Sequence, residues 1–306
     1  MTARNATIKK RKFFSRDFKA FLLLQGPFLL WWVLLSVFPI TFGLSLGFFK
    51  WKDLSRGPQW AGLENYIRFF TDAEYLRALW TSVWMGLLCW GLSTLFAFAF
   101  ALVMLKLPKG QGVFRTLWYA PAVASIVAMT QIMVILVDPT YGMINRLLQN
   151  AGMKAINVRY DFFSSVFMIV FYTLWSGVGG GMLFWIAGCK SIDPQLYEAS
   201  AIDGVNSWQK FIYITLPSLS PFFTYSIVTG VMNAIQIYAQ VMFISGGDPL
   251  GRTRTLVYMI MTDSFENLEP GMAGASSMVM LWIVLLFSYF YLRRMTAVFK
   301  KDGGNG

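Results

Sequence analysis

Ala78-Leu-Trp-Thr-Ser-Val-Trp-Met-Gly-Leu-Leu-Cys-Trp-Gly-Leu-Ser-Thr-Leu-Phe-Ala-Phe-Ala-Phe-Ala-Leu-Val-Met-Leu105 contains no Asp, Glu, Lys or Arg. A helix crossing a hydrocarbon core of about 30 Å needs about 20 such residues, so the stretch reads as a membrane span. Working outward from it, five more charge-free stretches of comparable length appear: Ala20–Phe49, Thr116–Val137, Phe162–Cys189, Phe211–Gly247 and Pro270–Leu292. Composition agrees. Only 13% of the 306 residues are charged and 56% are hydrophobic, whereas an ordinary soluble domain is about 25% charged. The fold class expected is an all-α membrane protein of six transmembrane helices. A basic N-terminal segment 1–19 leads into a six-span domain 20–297, and a tail 298–306 follows. The first stretch is too long for a secretory leader and lacks a convincing small-residue cleavage site, so it is read as a retained span.

Charge placement orients the chain. With the N-terminus inside, segments 1–19, 106–115, 190–210 and 293–306 carry 16 Lys and Arg against 5 Asp and Glu, while the opposite segments 50–77, 138–161 and 248–269 carry ten of each. The whole net charge of +11 therefore sits on one face, as the positive-inside rule requires of a cytoplasmic face. Both termini are expected to be cytoplasmic, and the basic balance reports topology and not nucleic-acid binding. Histidine is absent, and the two cysteines, Cys89 and Cys189, lie far apart inside apolar stretches. No disulfide framework and no metal spacing follows.

One inside segment has structure of its own. Residues 190–210 should fold as two short helices: Asp193 caps the first, Pro194 suits its first turn, Gly204 ends it in the left-handed conformation, and Asn206 or Ser207 caps the second. Leu196, Tyr197, Ser200 and Ala201 fall on one face at helical spacing. The loop resembles the signature of ABC importer permeases, Glu-Ala-Ala, three residues, Gly, nine residues, Ile-x-Leu-Pro: here Glu198, Ala199, Ser200, Gly204, Ile214, Leu216 and Pro217 hold that spacing, with Ser200 for the third-position Ala. Gly62-Leu-Glu-Asn65-Tyr66 is similar to the Gly-x-x-Asn-Tyr stretch of sugar-type permeases. Gly246-Gly-Asp-Pro249 followed by Thr253-Arg-Thr-Leu256 and Tyr258 is similar to a segment found in the first of the two permeases of maltose- and glycerol-phosphate-type importers.

The resemblance implies that the chain forms half of a solute pathway together with a second permease, two ATP-binding subunits and an extracytoplasmic solute-binding protein, in a bacterial or archaeal inner membrane. It implies that Leu196, Tyr197, Glu198, Ala199, Ser200, Asp203 and Gly204 couple the chain to the ATPase, and that the solute is a sugar, oligosaccharide or polyol. No Gly-x-x-x-x-Gly-Lys-Ser/Thr loop occurs, so the chain is expected to bind no cofactor itself, with ATP and Mg held by the partner.

Midplane polar residues mark the expected path. Asn233, Gln236, Tyr238 and Gln240 offer amides and a ring that lipid would not solvate; on a continuous helix Asn233, Gln236 and Gln240 would share a face. Interhelical hydrogen bonding is an equal alternative for any one of them. Tyr172 and Trp175 could stack on a sugar. Gly177-Val-Gly-Gly-Gly181 would either let helices pack closely or widen the path. Trp51, Trp60, Trp80 and Trp118 near span ends read as interfacial belt residues.

Two competing classes remain. An ion-coupled secondary transporter would ordinarily place a charge inside the membrane, and the spans have none. A membrane enzyme would need acid–base residues the spans lack.

Overall fold

A computed structural model describes residues 16–51, 57–107 and 109–302. Most of the basic segment expected at 1–19 and the end of the tail, 303–306, lie outside the described residues. The first helix, α1 (Arg16–Trp32), passes through a π-helical turn (Val33–Val37) into α2 (Phe38–Ser45). Pro39 has no N–H to return to Leu35, and the hydrogen-bond ladder widens just before it. After a two-stranded ribbon, Phe49–Lys50 paired with Gln59–Trp60, come α3 (Glu64–Thr71), α4 (Ala73–Lys106), α5 (Gln111–Val123), α6 (Ile126–Leu136), α7 (Met143–Asn150) and α8 (Phe162–Lys190). Then follow α9 (Pro194–Ile202), α10 (Ser207–Lys210), α11 (Leu216–Ser218), α12 (Ser220–Ile235), α13 (Leu256–Phe265) and α14 (Pro270–Asp302).

The protein is an all-α membrane protein, and among the described residues four helices are long and apolar enough to cross a bilayer: Phe21–Phe48, Ala73–Lys106, Phe162–Lys190 and Pro270–Arg293. The other two apolar stretches are not straight helices. The expected span Thr116–Val137 bends by 95° between α5 and α6, where Ala124 is extended and Ser125 also leaves the helical conformation. Neither arm alone reaches the roughly 20 residues a crossing needs. The stretch Phe211–Gly247 bends by 61° at Leu219, between Pro217 and Pro221, and its helix stops again at Ile235. Three helices that the charge-free criterion passed over, α3, α7 and α13, fold the connecting segments.

At the centre α4 and α8 run side by side in the same direction: Gly177 lies against Ser93, and Gly181 against Ala97. Without a hydrophobic drive between helices in lipid, small residues that permit close contact hold such pairs. A Cβ on Gly179 would sit 2.1 Å from the Trp118 carbonyl oxygen of α5, and one on Gly86 of α4 would sit 2.1 Å from that of Ala234 on α12. Below this crossing an aromatic layer fills the interior, with Trp185 4.6 Å from Phe223 and Trp118 4.5 Å from Phe100 between ring centroids. Trp118, read as a belt residue, is thus partly buried in the bundle, because the bend after α5 turns it onto α4.

The motif residues outside the 190–210 loop are structural clasps. Asn65 donates to the Gly47 and Phe49 carbonyls, each at 2.9 Å, fixing the end of the first span. Thr255 caps α13 and donates to Ile237 at 2.6 Å, while Tyr258 donates to Gly246 at 2.8 Å. On the other side of α13, buried Asp263 accepts from Tyr75 at 2.7 Å and from Asn267 at 2.9 Å. Burial raises its carboxyl pKa, and the two donors oppose that rise.

Candidate functional site: a midmembrane cavity and an exposed helical knob

Between α4, α8 and α12 lies a cavity of about 460 Å³. Its wall on α4 runs from Gly86 through Trp90, Ser93 and Thr94 to Ala97, the middle of that span. Thr173, Gly177, Gly180 and Gly181 face it from α8, and Ser226, Thr229 and Asn233 from α12, with Gln240 completing the rim. No charged side chain lines it. Much of the polarity is already used: Thr173 and Thr229 donate to carbonyls of their own helices, at 2.8 Å each. The amides of Asn233 and Gln240 have no protein partner among the described residues, and the buried Ser93 Oγ has none either. The two amides therefore remain open to a ligand, while the Ser93 hydroxyl is packed against Gly177 without a partner.

The structure divides the expected pathway residues. Asn233 and Gln240 reach the cavity; Gln236, Tyr238, Tyr172 and Trp175 do not line it. The common helical face fails because α12 ends at Ile235 and residues 236–238 are not helical. Gln236, the capping residue, donates back to Met232 at 3.0 Å. Tyr238 contacts the Met242 sulfur. Tyr172 is buried in the apolar core beside Met168 and Ile169, with Trp175 packed against the same cluster. The glycine run is divided: Gly179 takes the close contact with α5, whereas a Cβ on Gly180 would meet nothing within 4 Å and that residue opens onto the cavity. Sequence reasoning missed Trp90, Ser93, Thr94, Thr173 and Thr229. A usable signal existed in Ser226, Thr229 and Asn233, three and four apart on one face of an otherwise apolar helix.

Beyond the far end of α8, residues 190–210 form the expected pair of short helices. Asp193 accepts from the Gln195 N–H at 2.9 Å to start α9, and Gly204 (φ +70°) ends it. Asn206 and Gln209 form a reciprocal capping box that starts α10. The face expected to be shared splits in two. Ser200 is buried and Tyr197 bonds Thr215 at 2.9 Å, tying α9 to the next span, while Leu196, Ala199, Ala201 and Asp203 are exposed. Leu196, Ala199, Ser200 and Asp203 border a hollow of about 340 Å³ closed by Gln209 and Tyr213. Glu198 is exposed and has no partner among the described residues. Ile202 is 88% exposed and Trp208 69%, apolar surface that the sequence reading had not singled out.

No family model matches the chain. It is 30% identical, over 94% of its own length and 94% of the relative's, to the probable ABC transporter permease protein YesP of Bacillus subtilis. The chain belongs to the ABC transporter permease family. Other relatives of this permease are the trehalose/maltose transport system permease MalF of Thermococcus litoralis (26% identity, covering 91% of this chain and 94% of that one) and the sn-glycerol-3-phosphate transport system permease UgpA of Salmonella typhimurium (29%, 86% and 85%). In fold it matches a chain of a bacterial ABC transporter that imports the acidic polysaccharide alginate, with a TM-score of 0.75 at 22% identity, covering 90% of this permease and 97% of that chain. These relatives are transporter permeases and not enzymes, and none is named as an ion-coupled carrier. Among the described residues no group of three Cys, Asp or Glu could hold a metal ion.

Proposed function

We propose that this permease forms half of the solute pathway of a binding-protein-dependent importer for a sugar, oligosaccharide or polyol. The observation that carries the reading is the uncharged cavity at midmembrane depth, which presents two free amides beside the Trp90 ring. Neutral hydrogen-bonding groups around an aromatic face suit a hydroxylated ring that must be released again. The names of the relatives, trehalose/maltose and glycerol-phosphate among them, support the substrate class.

In this reading the two bent helix pairs each count as one span, giving six, with both termini cytoplasmic. The α9–α10 knob docks into an ATP-binding subunit through Leu196, Tyr197, Glu198, Ala199, Ser200, Asp203 and Gly204, together with exposed Ile202 and Trp208. Two such subunits hold ATP and Mg, and a second permease and an extracytoplasmic binding protein complete the complex. Closure of the ATPases moves the knob, and Tyr197–Thr215 passes that movement to the span behind it. The test is ATP-driven uptake by the reconstituted complex carrying Asn233→Ala and Gln240→Ala together. Loss of uptake with an intact complex is expected; unchanged uptake removes the pathway assignment.

A further inference from the structure

Arg77, Trp80 and Trp84 lie on the face of α4 opposite the central cavity, and with Phe162 at the start of α8 and Arg252 they line a second cavity of about 590 Å³. Arg252 lies over the Phe162 ring, 4.4 Å from its centroid, and Trp84 is 6.3 Å from the same ring. Nearby Arg254 is neutralised by Glu74. Arg77 and Arg252 have no ion pair among the described residues, so the cavity carries two uncompensated cations. Of the neighbouring carboxylates, Glu74, one turn before Arg77, is occupied by Arg254, and Asp161, next to Phe162 in the chain, accepts from Ser164 and is paired electrostatically with Lys154.

Depth and direction identify the occupant. Arg77 immediately precedes the charge-free stretch that begins at Ala78, which puts it at headgroup level, and Trp80 is 66% exposed where interfacial tryptophans belong. Below them the same face continues at i+4 and i+7 spacing as exposed Leu88 and Leu95, an apolar track the length of an acyl chain. The solute cavity, by contrast, opens between Gly86, Cys89 and Ser93 on the other side of the helix. The geometry points to a bound anionic phospholipid, its phosphate held by Arg77 and Arg252, its glycerol region against Trp80 and Trp84, and a tail along Leu88 and Leu95. A zwitterionic headgroup would bring an ammonium towards two unpaired guanidinium groups, so a net-negative lipid is selected. Arginine suits the role, because its planar fork can bond a phosphate and stack on an aromatic ring at once.

Native mass spectrometry of the full chain, titrated with phosphatidylglycerol and with phosphatidylethanolamine of the same acyl chains, tests this. The wild type should hold one phosphatidylglycerol on the order of tenfold more tightly than phosphatidylethanolamine, a preference set by two interfacial charges. Arg77→Gln with Arg252→Gln should erase the preference, and Arg77→Lys with Arg252→Lys should keep most of it with an unchanged gel-filtration profile. Equal binding of the two lipids by the wild type, or a preference that survives the Gln pair, overturns the proposal. So does loss of the lipid when the second permease subunit assembles, which would make that face a protein interface.

Discussion

The α9–α10 knob and the midmembrane cavity are built in opposite ways. In the knob, the capping bonds join residues two or three apart: Asp193 with Gln195, and Asn206 with Gln209. Its one long tie, Tyr197 to Thr215, spans 18 residues. The cavity brings Ser93, Gly177 and Asn233 together from three helices, and nothing local fixes that meeting. The knob can therefore keep its shape while its surroundings move, which is what the proposed coupling role would require. The cavity has a shape only as long as the helices keep their crossing, so a small shift between them changes what it can hold.

The largest effect should come from breaking the crossing. Gly86→Leu drives a side chain into the Ala234 carbonyl; overpacking of this kind costs about 1–3 kcal/mol. Thermal unfolding in detergent should fall by several degrees and uptake should be abolished, and a wild-type melting curve would show that the α4–α12 contact has slack. Next is Gly204→Val. The left-handed backbone at φ +70° costs a non-glycine residue about 1–2 kcal/mol, more for a β-branched one. Uptake and transport-linked ATP hydrolysis should drop roughly tenfold, with membrane insertion retained; normal coupling would remove Gly204 from the lever. Asn206→Ala removes one arm of the capping box, worth about 1 kcal/mol, and should weaken co-purification of the ATP-binding subunit without altering solute preference. The smallest effect belongs to Gln236→Ala. Its amide is spent on Met232, so uptake should match the wild type. A loss comparable to that of Asn233→Ala would return Gln236 to the pathway.

Sequence reading succeeded where the information is local. The cap at Asp193 and the stop at Gly204 were legible because each follows from one residue's own chemistry, and the second cap was narrowed to Asn206 or Ser207, of which the structure uses Asn206. The four long spans were legible because length and lack of charge suffice to call them. The bends at Ala124–Ser125 and Leu219 were not, although Pro121, Pro217 and Pro221 stood nearby. A proline in a membrane helix can kink it, break it or be accommodated, and neighbouring helices choose among these. Asn233, Gln236 and Gln240 looked equivalent on an ideal helix, and the helix end at Ile235 separated them. The hydroxyls at Thr173 and Thr229 were hidden because serine and threonine can satisfy themselves within any helix, as these two do.

By itself, then, the sequence determined that this protein lives in a membrane, which segments carry its basic charge, and that residues 190–210 form a capped helix–glycine–helix knob. These follow from transfer of side chains between water and lipid and from hydrogen bonds within a turn or two. The tertiary structure alone decided which amides face a cavity and which are spent at home. It also decided which glycines are packed and which leave space, and that one face of α4 lines the central cavity while Arg77 on the other meets Arg252 from the loop before α13. Those outcomes depend on how helices far apart in the chain cross, and in lipid that crossing is set by close packing of small residues, for which hydropathy gives no signal.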